Sequence, residues 1–341
     1  MRVGPPSHSE PAILSRPPPS RPSTIPARDR FPDRLEAAVR SCGNPCVVGL
    51  DPTPDLLPPA LLRSAKSPER LARAYEAYGR MVIRGAAGVV PVLKIQVACY
   101  ERLGWRGVRS YERTIQTARD SGLLVIADVK RGDVPHTAAQ YAAAHLVRGG
   151  ADAVTVNPFL GPDSLGPFLD AAEGGVRGVF VLVRTSNAGS TVVQGSALDR
   201  GSLCVRLSRL VHRLGGAVRG RNGWSALGAV VGATHPSEVG PLRRRMPRTL
   251  FLLPGVGAQG GRARDLLPAF DRTGFGSLVV ASRRILQPGR DARDPEQAIA
   301  TASRAFAREI REVLSTLGGR PGRPPERPRP RAGRTASAET A

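Results

Sequence analysis

The chain has 341 residues and a formal net charge of +22, and 41% of its residues are apolar although only 4% are aromatic. This apolar content is enough for a globular core, while no uninterrupted apolar run approaches the roughly 18 residues of a membrane helix, which excludes a membrane-spanning protein. Its four cysteines form no CxxC pair, which argues against a disulfide framework or structural zinc and favours a reducing cytoplasm.

The two ends of the chain differ in composition from the middle. Residues 1–30 contain eight prolines, and no apolar stretch follows a basic start as in a secretory signal. Residues 318–341 are again rich in proline and arginine. Such sequences bury too little apolar surface to offset the entropy of ordering, so we expect two disordered extensions around one folded domain at 31–317.

The positive charge raises nucleic acid binding as one interpretation. However, residues 1–30 carry only +3 and residues 318–341 carry +4 of the total, and the middle has no run of five or more basic residues and no aromatic RNA-binding motif. We therefore expect no nucleic acid partner.

Between the extensions, short β-branched apolar runs alternate with helix-like segments. Such near-continuous apolar runs are typical of parallel strands that are buried on both faces. The predicted strands are 46–51, 89–96, 123–130, 153–157, 178–184, 229–232, 249–254 and 277–282. The predicted helices are 68–85, 109–121, 137–148, 163–173, 198–214, 236–246, 262–270 and 295–317.

Eight strands, each followed by a helix, predict an α/β fold of the (β/α)8 TIM-barrel type. A doubly wound sheet is the structural alternative. The only sequence feature in its favour is Gly255-Val256-Gly257, which lacks the third glycine and the downstream acid of a dinucleotide-binding fingerprint.

Lysine is scarce in this chain. Three of the 50 basic residues are lysines, namely Lys66, Lys94 and Lys130, and the other 47 are arginines. A lysine ammonium can give up a proton near neutral pH and a guanidinium cannot, so lysines kept at strand ends indicate chemistry. The alternative explanation is a codon bias towards arginine, with three lysines retained by chance.

In a barrel, catalytic residues lie at the carboxyl ends of the strands. Asp128 and Lys130 are two residues apart on a predicted strand, so both point into the barrel mouth. Lys94, Asp51 and Asp133 add further charges of both signs at neighbouring strand ends. Such an array keeps its members ionised and can face both a substrate anion and a developing carbanion. A purely structural network of salt bridges is the alternative.

A phosphate site is predicted at the loops after strands seven and eight, where barrels commonly bind phosphate. The glycine-rich stretch 255–261 lets backbone amides approach an oxyanion, and Arg283 follows the next strand as a bidentate cation. A plain turn would explain the glycines alone.

At these residues the sequence resembles the orotidine 5′-phosphate decarboxylase family, in particular its longer bacterial subgroup. Residues 128–137 match the family's DxKxxDxxxT signature. Further matches in the same order span about residues 31–317, namely residues 49–52, 94–96 with Glu101, 157–161, 184–187, 231–234 and 254–261. Ile95 and the pair Cys99-Tyr100 depart from the subgroup's usual residues without changing the charged array.

The resemblance implies conversion of orotidine 5′-monophosphate to UMP and CO2 in pyrimidine biosynthesis, without metal or organic cofactor. Lys130 would then protonate C6 of the pyrimidine, and Asp128 would lie beside the departing carboxylate. Lys94 would bridge Asp128 and the ribose hydroxyls, which Asp51 would also hold.

The resemblance also implies a homodimer with shared active sites, in which Asp133 and Thr137 reach into the partner's site. Ser186 would contact the pyrimidine, Gln259 would link base and phosphate, and Arg283 would clamp the phosphate.

The sequence leaves two alternative functions open. A sugar-phosphate decarboxylase or aldolase on a similar barrel would share the DxKxxD core but would need Mg²⁺ and an acid in place of Lys94, so activity in EDTA would distinguish it. A basic binding module acting through its Pro/Arg extensions would lose its function when both extensions are deleted.

Overall fold

The computed structural model describes residues 30–63, 65–195, 201–257 and 260–317. The two predicted disordered extensions therefore lie outside the described residues, except for Arg30.

Eight parallel strands form a closed barrel in which each strand pairs with its neighbours in chain order and β8 pairs with β1. This confirms the predicted TIM barrel and excludes the doubly wound sheet. The strands are β1 Cys46–Leu50, β2 Val92–Gln96, β3 Leu124–Arg131, β4 Ala153–Val156, β5 Gly178–Arg184, β6 Ser225–Val231, β7 Thr249–Leu253 and β8 Ser277–Ala281.

Helices surround this barrel. The α-helices are α1 Phe31–Cys42, α2 Pro59–Arg63, α3 Pro68–Ala86, α4 Val97–Glu101, α5 Gly104–Asp120, α6 Pro135–Ala142, α7 Gly166–Ala171, α8 Ser190–Gln194, α9 Leu203–Gly215, α10 Pro236–Arg245, α11 Arg283–Leu286 and α12 Pro295–Ser315. A π-helix, Ala143–Arg148, continues α6, and the 3₁₀ segments are Pro162–Leu165, Glu173–Gly175, Gly216–Val218, Ala263–Ala269 and Gln287–Gly289. In the part of the chain that the structure describes, no helix has the length and apolarity needed to cross a bilayer.

The predicted elements differ from the structure at several places. The helix predicted at 262–270 is a 3₁₀ segment that contains Pro268, which cannot donate a helical hydrogen bond. Strand β6 begins at Ser225, four residues before its predicted start. The predicted strand at 89–96 is shorter, because β2 begins only at Val92.

Helix α1 was not predicted, and it closes the barrel at the amino ends of the strands. The fully buried Phe31 packs edge-on against Phe180 of β5, with ring centroids 6.0 Å apart. A Cβ on Gly178 would lie 2.7 Å from the Phe31 ring, so this position needs glycine. The amino end of the barrel is thus filled by apolar side chains, and the polar strand ends lie at the opposite end.

Candidate active site

A cavity of about 510 Å³ opens at the carboxyl ends of the strands. Its volume is within the range of pockets that bind small molecules. The charged and hydroxyl side chains that line it are Asp51, Lys94, Asp128, Lys130, Thr155, Thr185, Ser186, Ser282 and Arg283. Six of the nine residues predicted from the sequence therefore line a single cavity.

Asp128 is the centre of the polar array. Its Oδ2 accepts hydrogen bonds from Lys94 Nζ at 2.7 Å and from Gln96 Nε2 at 3.2 Å. Its Oδ1 accepts from Lys130 Nζ at 2.6 Å and from Thr155 Oγ1 at 2.8 Å. The carboxylate is buried and is satisfied by four donors, two of which are ammonium groups, so its position and its charge are both fixed.

The electrostatics of the array keep Asp128 and Lys94 ionised. Burial opposes ionisation of Asp128, but the ammonium groups of Lys94 and Lys130 outweigh it and hold the pKa of this carboxyl well below its usual range. Burial likewise disfavours the Lys94 ammonium, but Asp128 and Asp51 raise the pKa of Lys94 above its ordinary value. Asp128 and Lys94 are therefore both charged at neutral pH.

Asp51 lies at the outer side of Lys94, immediately after β1. Its Oδ1 is 3.6 Å from Lys94 Nζ, and this buried oxygen has no hydrogen-bond partner in the described structure. The ion pair with the Lys94 ammonium compensates for the burial of this oxygen. The Asp51 side chain as a whole is 35% exposed and lines the cavity, so it can accept a hydrogen bond from a hydroxyl of a bound molecule.

Lys130 occupies an unusual backbone position at the end of β3. Its φ is +46°, in the left-handed region that residues other than glycine rarely adopt. Its side chain is 45% exposed and points into the cavity, where it meets Asp128. Such strain persists only where surrounding contacts hold the residue, and it is common at functional sites.

Thr155 of β4 is a site residue that was not predicted from the sequence. Its hydroxyl accepts a hydrogen bond from the Lys130 backbone N–H at 3.0 Å and donates one to Asp128 Oδ1 at 2.8 Å. Threonine is common in strands, so nothing in the apolar run around it marks this residue.

The predicted phosphate end is formed by the segments that follow β7 and β8. Arg283, the first residue of α11, lines the cavity together with Gly255 and Val256 after β7. Gly255 has a φ of +103° and Gly257 has +79°, conformations that glycine adopts without strain. Gln259, which was predicted to link base and phosphate, lies outside the described residues.

Ser186 lines the cavity from the segment that follows β5. This segment lies against β6, since a Cβ on Gly232 would come within 2.8 Å of the Ser186 backbone. Thr234 Oγ1 donates to the Ser186 carbonyl at 3.1 Å. These contacts of Gly232 and Thr234 with the Ser186 backbone hold Ser186 at the edge of the cavity.

A buried arginine anchors the same segment; it belongs to the matching stretch 184–187, but the sequence assigned it no role. Arg184 is 1% exposed, and its Nε donates to both carboxylate oxygens of Glu238 on α10 at 3.0 and 3.1 Å. Its terminal nitrogens donate to Ser190 Oγ at 2.8 Å and to Thr191 Oγ1 at 3.1 Å, at the start of α8. Arg184 therefore ties α8 to α10 across the segment that carries Ser186.

Asp133 and Thr137 do not line the cavity of their own barrel. Asp133 lies in the loop after β3, where its Oδ1 accepts a hydrogen bond from the Val134 N–H at 2.8 Å. Apolar side chains near this loop and after β4 are exposed, and Phe159 is the extreme case at 79%.

Comparison with known proteins agrees with this geometry. Residues 46–302 match the model of the orotidine 5′-phosphate decarboxylase / HUMPS family. The chain is 40% identical to an orotidine 5′-phosphate decarboxylase of Rhodopirellula baltica over 265 residues, which cover 75% of this chain and 88% of that protein. It is 36% identical to one of Petrotoga mobilis over 290 residues, which cover 84% and 99%. The structure of Leishmania donovani OMP decarboxylase superimposes with a TM-score of 0.68 at 28% identity and covers 84% of this chain and 99% of that one.

Proposed function

The chain belongs to the orotidine 5′-phosphate decarboxylase / HUMPS family, and from this premise we propose how its barrel mouth removes CO2 from orotidine 5′-phosphate. Its function is that of a carboxy-lyase in pyrimidine biosynthesis. We assign the catalytic domain to residues 31–317. The observation that carries the assignment of roles is the Asp128 carboxylate held between two ammonium groups in the cavity.

The chemistry requires preorganised charge. When the bond between C6 and the carboxylate breaks, CO2 departs and the electron pair stays on a ring carbon that has no electron sink. The Lys130 ammonium lies where it can stabilise this developing charge and then transfer its proton to C6, which yields UMP and neutral lysine. Lysine regains its proton from water.

Asp128 and Lys94 prepare the site for this step. The Asp128 carboxylate would face the substrate carboxylate, so that repulsion in the ground state is relieved as CO2 leaves. Its four hydrogen bonds prevent it from moving away or becoming protonated. Lys94 would hold Asp128 and a ribose hydroxyl, and Asp51, which lines the cavity, would also accept a hydrogen bond from the ribose.

The remote groups would bind the rest of the nucleotide. Arg283 would pair with the phosphate beside the amides of the loop after β7, and Ser186 would hydrogen-bond the pyrimidine. Gln259 would contribute from the same loop as the glycines. Binding energy from the phosphate can then be used to orient the reacting carbon.

We further propose a cytoplasmic homodimer. All four cysteines are free thiols, which fits a reducing compartment. Exposed Val134 and Phe159 near the loop of Asp133 support a second copy at this face, and Asp133 and Thr137 of each subunit would enter the site of the other.

The test is the loss of ultraviolet absorbance of orotidine 5′-monophosphate with purified protein, in the presence of EDTA. We expect full activity under these conditions. Activity that required Mg²⁺ and a sugar phosphate would instead identify the alternative decarboxylase or aldolase.

A further inference from the structure

Strand β3 departs from regular pairing where it delivers its catalytic side chains. Ala127 pairs with Val154 of β4, but the next paired residues are Arg131 and Val156. Four steps along β3 therefore correspond to two along β4, which is a bulge that contains Asp128 and Lys130. A bulge releases backbone groups from the ladder, and these groups need other partners.

Thr155 supplies such a partner from the opposite strand. It is the residue of β4 between the two paired positions, and it is only 1% exposed. Its hydroxyl accepts a hydrogen bond from the Lys130 N–H and donates one to Asp128 Oδ1. Because Lys130 Nζ donates to the same oxygen, Lys130, Thr155 and Asp128 form a closed ring of hydrogen bonds.

This ring opposes two ways in which the site could relax. The left-handed backbone of Lys130 favours a return to extended geometry, which would turn its side chain away from Asp128. The Lys130 side chain is also nearly half exposed, so its ammonium has solvent as an alternative partner. The Thr155 hydroxyl is hydrogen-bonded both to the Lys130 backbone and to Asp128, which accepts from the Lys130 ammonium. It therefore opposes both changes.

We propose that Thr155 is a positioning residue for decarboxylation, whose hydroxyl fixes the Lys130 ammonium and the Asp128 carboxylate in register. The proposal rests on the role proposed above for Lys130 as proton donor. Thr155 itself touches no reacting atom in this role. Removing its hydroxyl should therefore lower kcat while leaving nucleotide binding in place.

The experiment compares Thr155→Val, which keeps the side-chain shape, with Thr155→Ser, which keeps the hydroxyl. Loss of a hydrogen bond to a charged group predicts a kcat that is roughly 10- to 100-fold lower in Thr155→Val. KM and the Kd of UMP should stay within about twofold of the wild type, and Thr155→Ser should recover most of kcat.

Thr114→Val is the matched control. Thr114 is as buried as Thr155, and its hydroxyl donates to the Ser110 carbonyl within α5, away from the cavity. This variant should lose thermal stability but keep kcat. If Thr155→Val does not fold, Thr155→Cys, with a weakly hydrogen-bonding thiol of similar size, is measured in its place.

Three results would overturn the proposal: a kcat of the hydroxyl-free variant near that of the wild type, a Thr155→Ser variant as impaired as Thr155→Val, or a parallel loss of UMP affinity. Absence of decarboxylation in the wild-type protein would instead refute the proposed function itself, so the two failures are distinguishable.

Discussion

Lys130 is one of only three lysines in the chain, and it meets Asp128 inside the cavity through a strained backbone. We expect Lys130→Ala to lose about 10²- to 10⁴-fold in kcat, the range typical for loss of a general acid. Lys130→Arg should be little better, because a guanidinium is larger and does not give up its proton. The ultraviolet assay measures both variants, and size-exclusion chromatography verifies their assembly. Substantial turnover by Lys130→Arg would contradict the proposed proton donor.

The low pKa of Asp128 predicts how stability depends on pH. Burial opposes its ionisation, but the ammonium groups of Lys94 and Lys130 prevail and depress the pKa. A depressed pKa gives a contribution that is complete above the unfolded value of about 3.9 and is lost as the pH falls through the folded-state pKa.

We therefore compare the free energy of unfolding of wild type and Asp128→Asn by urea titration at a series of pH values. The difference should be constant between about pH 5 and pH 8 and should shrink below about pH 4. A difference that already shrinks between neutral pH and about pH 5 would mean that the carboxyl is not held ionised as the structure indicates.

Replacement of Arg283 tests the proposed phosphate end of the cavity. Arg283→Ala should raise KM by roughly 10-fold or more, because a charge-assisted hydrogen bond to the substrate is lost. The effect should be much smaller for orotidine, which lacks the phosphate. Arg284→Ala is a suitable control, since the neighbouring Arg284 pairs with Glu309 on α12. A KM unchanged within about twofold would place the phosphate elsewhere.

At the level of single residues, the sequence predicts the charged residues that line the cavity, and Ser186, but it misses Thr155. Lys94 and Asp128 are visible because a charge interrupts an otherwise apolar strand. Thr155 is not visible, because its role depends on a bulge in a different strand. The burial of Arg184 is likewise a tertiary property, since its partner Glu238 is 54 residues away.

At the level of elements, the strands are predictable because burial on both faces demands apolar, β-branched runs. The start of β6 is not, because Ser225-Ala-Leu-Gly228 contains no β-branched residue. Nor does the sequence pattern mark the change from α6 to the π-helix at Ala143. The strand ends carry the site, so a fold predicted to within a few residues was sufficient to bring its charged residues together.

The hydrogen bonds of the buried Arg184 lead to a prediction about the segment between β5 and α8. Lysine at this position keeps the charge near Glu238 but cannot reproduce the separate hydrogen bonds to Ser190 and Thr191. We expect Arg184→Lys to raise KM severalfold and to speed hydrogen exchange of the backbone amides at 185–195. Kinetics and exchange mass spectrometry measure the two effects.

Arg34 provides the control for this prediction. It pairs with Asp152 at 2.6 Å, at the end of the barrel away from the cavity. Arg34→Lys should lower the Tm while leaving KM and the exchange of residues 185–195 unchanged. Equal effects of the two substitutions on KM would show that Arg184 acts only through overall stability.

At the level of the whole molecule, one barrel holds most of the predicted site but not all of it. Asp133 and Thr137 belong to the signature that identifies the family resemblance, yet neither lines the cavity of its own barrel. Exposed apolar side chains beside them, Val134, Phe159 and Leu160, form a surface of the kind that partners bury. Both observations are explained if Asp133 serves the cavity of a second subunit.

A shared site predicts that two inactive variants rescue each other. Lys130→Ala and Asp133→Ala subunits that mix in a two-fold dimer place both lesions in one site and leave the other site intact. Random reassortment makes about half of the dimers mixed, so roughly a quarter of wild-type activity should return. The ultraviolet assay on an equimolar mixture, after subunit exchange, measures the recovery.

The interpretation depends on mixed dimers being present, which tagged pull-down and size-exclusion chromatography of the mixture establish. Lys130→Ala mixed with Asp128→Ala is the matched control: these two residues contact each other within one barrel, so every mixed dimer carries a lesion in each site and no activity should return. Recovery in the first mixture but not in the second would locate Asp133 in the partner's cavity. If mixed dimers form and neither mixture exceeds its parent variants, Asp133 acts within its own barrel and the shared site is wrong.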